Sequence, residues 1–577
     1  MSKHASYLSD DEIREFVDCF DNNAVGGQAH RSELEQCLEQ THSELAMPSK
    51  KTFADDQDAH VRRQAFRDLL GETGPLIPLE YLVQRIRSWK VPSLMQVRKQ
   101  EKRQDGDLQR RGVLRLAYAY WAVHGYEIVF LGFVVATIVA SAVAESVRYG
   151  ARRYTSAPLG TFVQGSDPSN GEAVTRVVAQ KIPGHDYMDY IRSRAGFKGI
   201  AALSLFYIVA ILISIFGYLL ALPTFLLLFE RISRISLGFY LADASVEVLT
   251  SDTIEVTAEL PDYRIWEYTA GQYILLLVPD ISLLQWHPFT IAFCRDKMIT
   301  LHIKTGGDWT AQLRHLGPSI KVAINGPFGA PAQRFGDFRY SLIIGAGVGI
   351  TPFSAILADL QRKDDLHIRR QHRQQLDCGG NCQYAHETVL PLPHKSPYQD
   401  ARHRRTDFHW NVRDRHNLSW LSGLLNRVSM SQRKHRDLQQ KSPLDIRINT
   451  HITANYTCIV PYVFSWILEI SRSDQHPASS LTGLLNATYF GRPDFNMILD
   501  EHYDDMRNMI ASRNMLDPVR ICDEEMGRGH DRERDVGVFY CGASEVGVLL
   551  ADKCWRLTNR GQTDGNRIEY HFIVETF

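Results

Sequence analysis

Apolar residues are unevenly spread along the chain, and their rhythm changes several times. Over residues 8–38, LSDDEIREFVDCFDNNAVGGQAHRSELEQCL, apolar positions recur at helical spacing on either side of a glycine-bearing loop, which predicts helix, loop, helix. Residues 66–93 show a second, plainer version of that rhythm. The run 128–144, IVFLGFVVATIVASAVA, carries no charge and as a helix would be about 25 Å long, just enough to span a bilayer between Tyr126 and Tyr149. A second uncharged run, 199–229, would make a helix of about 46 Å unless Gly217 or Pro223 breaks it. After Ser236 the rhythm becomes short β-rich runs bounded by turns (VEVLT, IEVTAEL, YILLLVP, ITLHIKT), which predict an antiparallel barrel. From Tyr340 it changes again, to strand, glycine turn and helix, as in a parallel α/β unit. A polar stretch holding Pro391, Pro393 and Pro397 interrupts that last region between Arg362 and Asp407.

At 577 residues the chain needs more than one core. Lys and Arg number 65 against 66 Asp and Glu, a net charge of -1, so no global basic field points to nucleic acid. The nine cysteines are scattered, as a reducing compartment permits, and the polar, acidic start lacks the basic and apolar regions of a secretory leader. Basic residues flank both apolar runs, so the positive-inside rule does not choose an orientation. Two crossings would leave both flanking regions on one side, expected to be the cytosol. Basic residues 402–405 read as a solvated face, and Cys378, Cys382 and His386 as three possible zinc ligands without a fourth, so no metal site is expected.

Four motifs carry chemistry. In YSLIIGAGVGITPF, Gly345, Gly347 and Gly349 form the turn before a helix that starts near Thr351 and Pro352; such a turn lets backbone N–H groups approach a pyrophosphate. Upstream stand His287, Pro288, Phe289 and Thr290, and then Gly326, Pro327, Phe328 and Gly329. Near the end come Val538 to Gly542, VFYCG, and the last residue is Phe577. In this order and spacing, residues 236–577 resemble the dehydrogenase half of the NADPH oxidase and ferric reductase superfamily, whose fold is similar to ferredoxin-NADP reductase.

The resemblance implies roles for individual residues. His287, Pro288, Phe289 and Thr290 look like the FAD-binding HPFT motif, with the Thr290 hydroxyl facing the flavin. Lys304, Gly307, Trp309 and Thr310 match the segment that holds the FAD pyrophosphate; the family usually has Arg at the position of Lys304. Gly345, Gly347, Gly349, Thr351 and Pro352 match the NADPH pyrophosphate turn, and Arg413 and Arg492 stand where the family recognises the adenosine phosphate and ribose. Cys541 and Gly542 resemble the motif beside the nicotinamide, and Phe577 the terminal aromatic stacked on the isoalloxazine. Thr290, Cys541 and Phe577 are therefore the expected catalytic set, with FAD and NADPH as cofactors.

The N-terminal rhythm resembles the EF-hands of fungal C-type and other calcium-regulated NADPH oxidases. With Asp21 at loop position 1, position 5 is Val25 and position 12 is Ser32, so a full calcium shell is not expected. The family also implies two b-type haems held by histidines on membrane helices; neither apolar run contains a histidine, so the helices that carry those ligands are expected to be missing. The expected fold is multidomain: an EF-hand-like helical region at 1–95, a membrane region at 96–235 with apolar segments 126–145 and 199–229, an FAD-binding antiparallel β-barrel at 236–335, and an NADPH-binding α/β parallel-sheet domain at 336–577 with a polar insertion near 362–407. The expected activity is hydride transfer from NADPH to FAD and then single electrons to oxygen, with membrane lipid as a further partner. A ferric-chelate reductase and a catalytically silent membrane regulatory protein are the other readings.

Overall fold

The computed structural model describes residues 7–21, 28–45, most of 63–100, 120–123, 161–166, 173–178, 225–233, and 240–575 with breaks at 261–267, 378–403, 438–443, 473–476 and 517–533 and a few shorter ones. Two units result, one of Met1–Val123 with Leu237–Phe577, the other of His124–Ser236. Within the second, the described residues include an antiparallel pair of strands at Thr161–Ser166 and Ala173–Val178, and helical residues 225–233. Most of both apolar runs lies outside the described residues, and among those described no helix is long and apolar enough to cross a membrane. The tail of the second run, Phe225 to Phe229, is helical with every side chain more than half exposed.

The first unit begins with α1 (Asp10–Asp21), β1 (Gln28–His30), α2 (Arg31–Leu45), β2 (Leu76–Pro78) and α3 (Leu79–Trp89). Ser9 starts α1 with a reciprocal cap: its N–H donates to Glu12 Oε2 at 2.8 Å and its hydroxyl accepts the Glu12 N–H at 3.4 Å. Ile13, Phe16 and Val17 then fall on one face, and all three are buried. β1 pairs antiparallel with β2, Ala29 opposite Ile77, and so ties the two helix-loop-helix stretches together.

The strands at 161–166 and 173–178 are β3 and β4, and the barrel follows as β5 (Leu241–Val248), β6 (Thr253–Glu259), β7 (Tyr273–Leu277), β8 (His287–Arg295), β9 (Met298–Lys304) and β10 (Ser319–Phe328). They close in the order β10-β5-β6-β9-β8-β7. Period-two alternation drives closure: Ile254 and Val256 on β6 and Ile299, Leu301 and Ile303 on β9 all point inward. Helix α4 (Asp308–His315) covers one opening with Trp309 and Leu313, one turn apart.

The second layer is a six-stranded parallel sheet in the order β14-β13-β12-β11-β15-β16. Its strands are β11 (Tyr340–Ala346), β12 (Arg404–Val412), β13 (Leu444–Ile452), β14 (Ala487–Phe490), β15 (Asp535–Cys541) and β16 (Glu569–Val574). Helices α5 (Thr351–Asp377), α6 (Ser419–Asp437), α7 (Ile459–Ile470), α8 (Phe495–Leu516) and α9 (Ser544–Thr563) complete it. β11 is near-continuously buried, as a strand covered on both faces must be.

Two sequence expectations change here. The polar stretch 362–407 is shorter than it reads, because α5 runs on to Asp377 and β12 begins at Arg404. Asp364 helps hold the start of this extension: it is buried and meets Ser431 Oγ at 2.6 Å and His435 Nε2 at 2.8 Å, so polar contacts to α6 continue where the apolar ones end. The basic residues near 402–405 are not all solvated either. Arg404 donates to the carbonyls of Phe335 and Gly336, while Arg405 is buried and reaches Asp407 at 2.7 Å and Asp505 at 3.0 Å. The candidate zinc residues Cys378, Cys382 and His386 lie outside the described residues.

Helix α7 joins the N-terminal helices to the nucleotide sheet. It is apolar nearly all round, and such a helix needs cover on every side. Its inner side packs on β14, and α1 and α2 cover the other. The Phe464 ring stands 5.7 Å from Phe16 and 6.0 Å from Phe66, within one continuous core. Phe464→Ala is expected to lower the unfolding free energy of the full chain by about 3–5 kcal/mol in urea titrations. A loss below about 1 kcal/mol, the size of a surface change, would show that the N-terminal helices leave α7 in solution.

Candidate functional site

The HPFT residues open β8. His287 and Phe289 stack toward Trp309 of α4, with ring centroids 4.3 Å and 5.9 Å away, so the two predicted FAD segments form one aromatic face. Pro288 between them is exposed, and Thr290 is buried opposite Tyr273 of β7. Burial holds the His287 imidazole below its usual range, so it is neutral near pH 7. Lys304 is the exposed last residue of β9. Between it and α4, the N–H groups of Gly306 and Gly307 both donate to Thr310 Oγ1, at 3.1 Å and 3.0 Å. Gly307 is the N-cap of α4, placing a positive helix end beside Lys304.

The glycine turn stands at the C-terminal edge of the parallel sheet. Gly345 ends the buried part of β11, and residues 347–350 form a 3-10 turn into α5, where Thr351 and Pro352 are buried. Gly347 has φ +56, a left-handed conformation that favours glycine. At Gly349 the constraint is space: a Cβ there would lie 2.5 Å from the carbonyl oxygen of Cys541. Trp410 fixes the turn from the neighbouring strand, its Nε1 donating to the Gly347 carbonyl at 3.0 Å. Sequence reading passes over Trp410, although it stands three residues before Arg413.

Strand register brings the remaining predicted residues to this edge. Val412, Ile452 and Phe490 form one row across β12, β13 and β14, so Arg413 and Arg492, both exposed, leave the sheet at the same edge. Cys541 ends β15 opposite Gly345 and is buried, whereas Gly542 is exposed. Burial, with Glu575 adding to it, pushes the Cys541 thiol up to about 12, which keeps it protonated and not nucleophilic. α5 packs along β8, and the glycine turn packs against β9. The HPFT strand, the glycine turn and Cys541 therefore line one region between barrel and sheet.

Phe577 lies outside the described residues, the last of which is Glu575. Glu575 is a second residue that sequence reading misses. Its N–H donates to the Tyr540 carbonyl at 2.8 Å, and its Oε2 accepts the Ala332 N–H at 2.9 Å. It thus ties the tail both to β15 and to the segment that links barrel and sheet. A glutamate directly after the apolar run FIV, in HFIVETF, is the signal that could have found it.

The residues present fit a flavin and a dinucleotide. Among the described residues, His287 Nε2, Trp309 Nε1 and Asn411 Oδ1 are buried atoms that find no hydrogen-bond partner, and a buried polar atom left so costs about 1–3 kcal/mol unless a bound group satisfies it. The first two face the HPFT region, and Asn411 lies beside Ala346 at the glycine edge. Comparison with known proteins agrees. A family model described as an FAD-binding domain matches residues 239–332, and one described as a ferric reductase NAD binding domain matches 338–554. Respiratory burst oxidase homolog protein E of Arabidopsis thaliana is 25% identical over 339 residues, covering 53% of this chain and 31% of that protein. Two superoxide-generating NADPH oxidase heavy chains of Dictyostelium discoideum are also similar. One is 25% identical over 346 residues, 57% of this chain and 52% of that one, and the other 26% identical over 313 residues, 50% and 35%. The chain thus spans about a third to a half of the length of these relatives.

Glu575 gives the site a pH dependence. Burial raises its carboxyl to about 7, outweighing the Ala332 N–H. A raised acid contributes stability below its unfolded value, near about 4.3, and loses it as pH rises through the folded value. The stability that this anchor contributes is therefore expected to fall between about pH 4 and 7, from the unfolded value up to the folded one, and Glu575→Gln to flatten the dependence in thermal melts taken across the range. An unchanged slope in the variant would assign the dependence to another group.

Proposed function

Because this chain belongs to the superfamily of NADPH oxidases and ferric reductases, we propose that it is a membrane-anchored flavoprotein that takes hydride from NADPH onto FAD and passes electrons singly to oxygen. The observation that carries the reading is the packing of α5 along β8 and of the glycine turn on β9, which supports a common cleft for two ring systems. FAD, when bound, supplies the conversion from two-electron to one-electron transfer.

The protein's part is binding and alignment. His287, Pro288, Phe289 and Thr290 hold the flavin, with the buried Thr290 hydroxyl toward its ring; Lys304, Gly307, Trp309 and Thr310 hold its pyrophosphate. Lysine at 304 is a point charge rather than the fork an arginine offers, so this grip is less directional. Gly345, Gly347, Gly349, Thr351 and Pro352 receive the NADPH pyrophosphate, while Arg413 and Arg492 serve the adenosine end. Cys541 and Gly542 would lie against the nicotinamide, and Phe577 would be the aromatic residue that stacks on the flavin. No general base is required, and the neutral Cys541 and His287 add no competing nucleophile or charge.

Membrane anchoring is supported by the two uncharged runs and by the exposed apolar side chains of Phe225 to Phe229. The β1 and β2 pairing supports reading the N-terminal helices as an EF-hand-like pair, and Val25 and Ser32 at loop positions 5 and 12 leave it without a full set of calcium ligands. The name of the matched nucleotide domain favours ferric chelates as a second acceptor.

Purified full chain is expected to show flavin absorbance that bleaches anaerobically with NADPH. Gly349→Ala should retain the flavin and lose about a hundredfold in bleaching rate, about 2.7 kcal/mol, because the new methyl collides with the Cys541 carbonyl. A wild-type rate in that variant would remove NADPH from this edge. Superoxide-dismutase-sensitive cytochrome c reduction, set against ferrous-iron trapping, then distinguishes oxygen from iron as acceptor.

A further inference from the structure

The loop that carries Arg492 is braced from outside the nucleotide fold. Gly491 has φ +103, and a Cβ built on it would stand 2.5 Å from Val97 Cγ1, so its backbone lies directly on the Val97 side chain. One residue on, Arg98 Nη2 donates to the Tyr456 carbonyl at 2.5 Å. The Tyr456 ring is 6.3 Å from that of Phe490, the residue before Gly491. Both contacts come from helical residues 94–100, which lie N-terminal to the barrel and lead in sequence toward the first apolar run.

That short helix is itself fixed by α1. Glu12 is 1% exposed; its Oε1 accepts the Met95 N–H at 2.7 Å, and its Oε2 accepts the Ser93 hydroxyl at 2.8 Å. Charged acceptors on N–H groups at a helix start are among the stronger hydrogen bonds. α1 in turn rests on α7 through Phe16 and Phe464. Contacts therefore run unbroken from the N-terminal helices through Glu12 and residues 94–98 to the Arg492 loop.

We propose that residues 94–100 act as a positioning strut for the NADPH-binding edge, so that the N-terminal helices set the affinity for the dinucleotide. The proposal rests on the reading of Arg492 as a residue of the adenosine end. Its physical content is a reciprocal coupling: whatever moves α1 moves the strut and changes NADPH binding, and bound NADPH holds the strut in place. Val97 and Arg98 touch the loop's support rather than the reacting rings, so displacing them weakens binding and leaves the hydride step unchanged.

Anaerobic stopped-flow bleaching of the FAD-loaded full chain separates these quantities, giving an apparent Kd for NADPH and a limiting rate. Val97→Asp and Arg98→Ala are expected to raise Kd about tenfold with the limiting rate within about twofold, the signature of lost ground-state binding. Arg98→Lys, which keeps a donor for the Tyr456 carbonyl, is expected to recover most of the affinity. Arg98→Ala deletes a single half-buried side chain, so the test stands even where Val97→Asp fails to fold. An unchanged Kd in Arg98→Ala, or a Kd, rate and flavin content that fall together, overturns the strut. Arg492→Ala is the reference: if it raises Kd while the strut variants do not, only the coupling fails, and if it leaves Kd unchanged, the assignment of Arg492 falls and takes the strut with it.

Discussion

The constraint on which the candidate site depends is the close contact between the backbone at Gly349 and the carbonyl of Cys541. A methyl group does not fit between them, so the turn that follows β11 lies directly against the end of β15 at the C-terminal edge of the sheet. The arrangement around it follows from protecting that approach. Gly347 turns the chain at positive φ, Trp410 holds the turn by its carbonyl, and α5 leaves along β8 so that the barrel closes over the same region. Glycine is required here by geometry rather than by flexibility, since Gly345 and Gly349 are each blocked by a neighbour.

Around this edge the protein uses polar anchors where a simpler fold would use apolar ones. Asp364 pins α5 to α6, and Arg405 bridges β12 to α8 through Asp407 and Asp505. Breaking such a buried group costs more than the pair contributes when intact, because the orphaned partner stays buried. These anchors therefore specify which helix lies on which face more than they add net stability. Their placement behind the sheet leaves the C-terminal edge free for ligand contacts.

Much of this is legible in the sequence. Period-two runs announce the barrel, and the strand, glycine and helix of YSLIIGAGVGITPF announce β11, its turn and α5 in the right places. HPFT, the triple glycine and VFYCG are legible because each is a local signal: a strand start, a turn, a strand end. What is not legible depends on partners distant in sequence. The burial of Arg405 requires Asp505, a hundred residues away, and the start of the polar 362–377 stretch is held in part by Asp364 meeting Ser431 and His435. Trp410 and Glu575 escape for the same reason, since their meaning lies in the carbonyl of Gly347 and the N–H of Ala332. Phe577 and most of the apolar runs fall outside the described residues, so those expectations remain readings of sequence.

The sharing of one core by the N-terminal helices and the nucleotide sheet changes how the chain is divided. A reading by motif separates an EF-hand-like region from a dehydrogenase, with a membrane region between them. The packing of Phe16 and Phe66 on Phe464 instead makes the first hundred residues part of the dehydrogenase, returned to it across a sequence gap of more than three hundred residues. Closing so long a loop costs only slightly more entropy than closing a short one, because the cost grows with the logarithm of length. The contacts that hold this helix pair to the rest of the unit are apolar, at Phe16, Phe66 and Phe464, and polar, through Glu12 to Ser93 and Met95, so a displacement of α1 would reach residues 94–98 first.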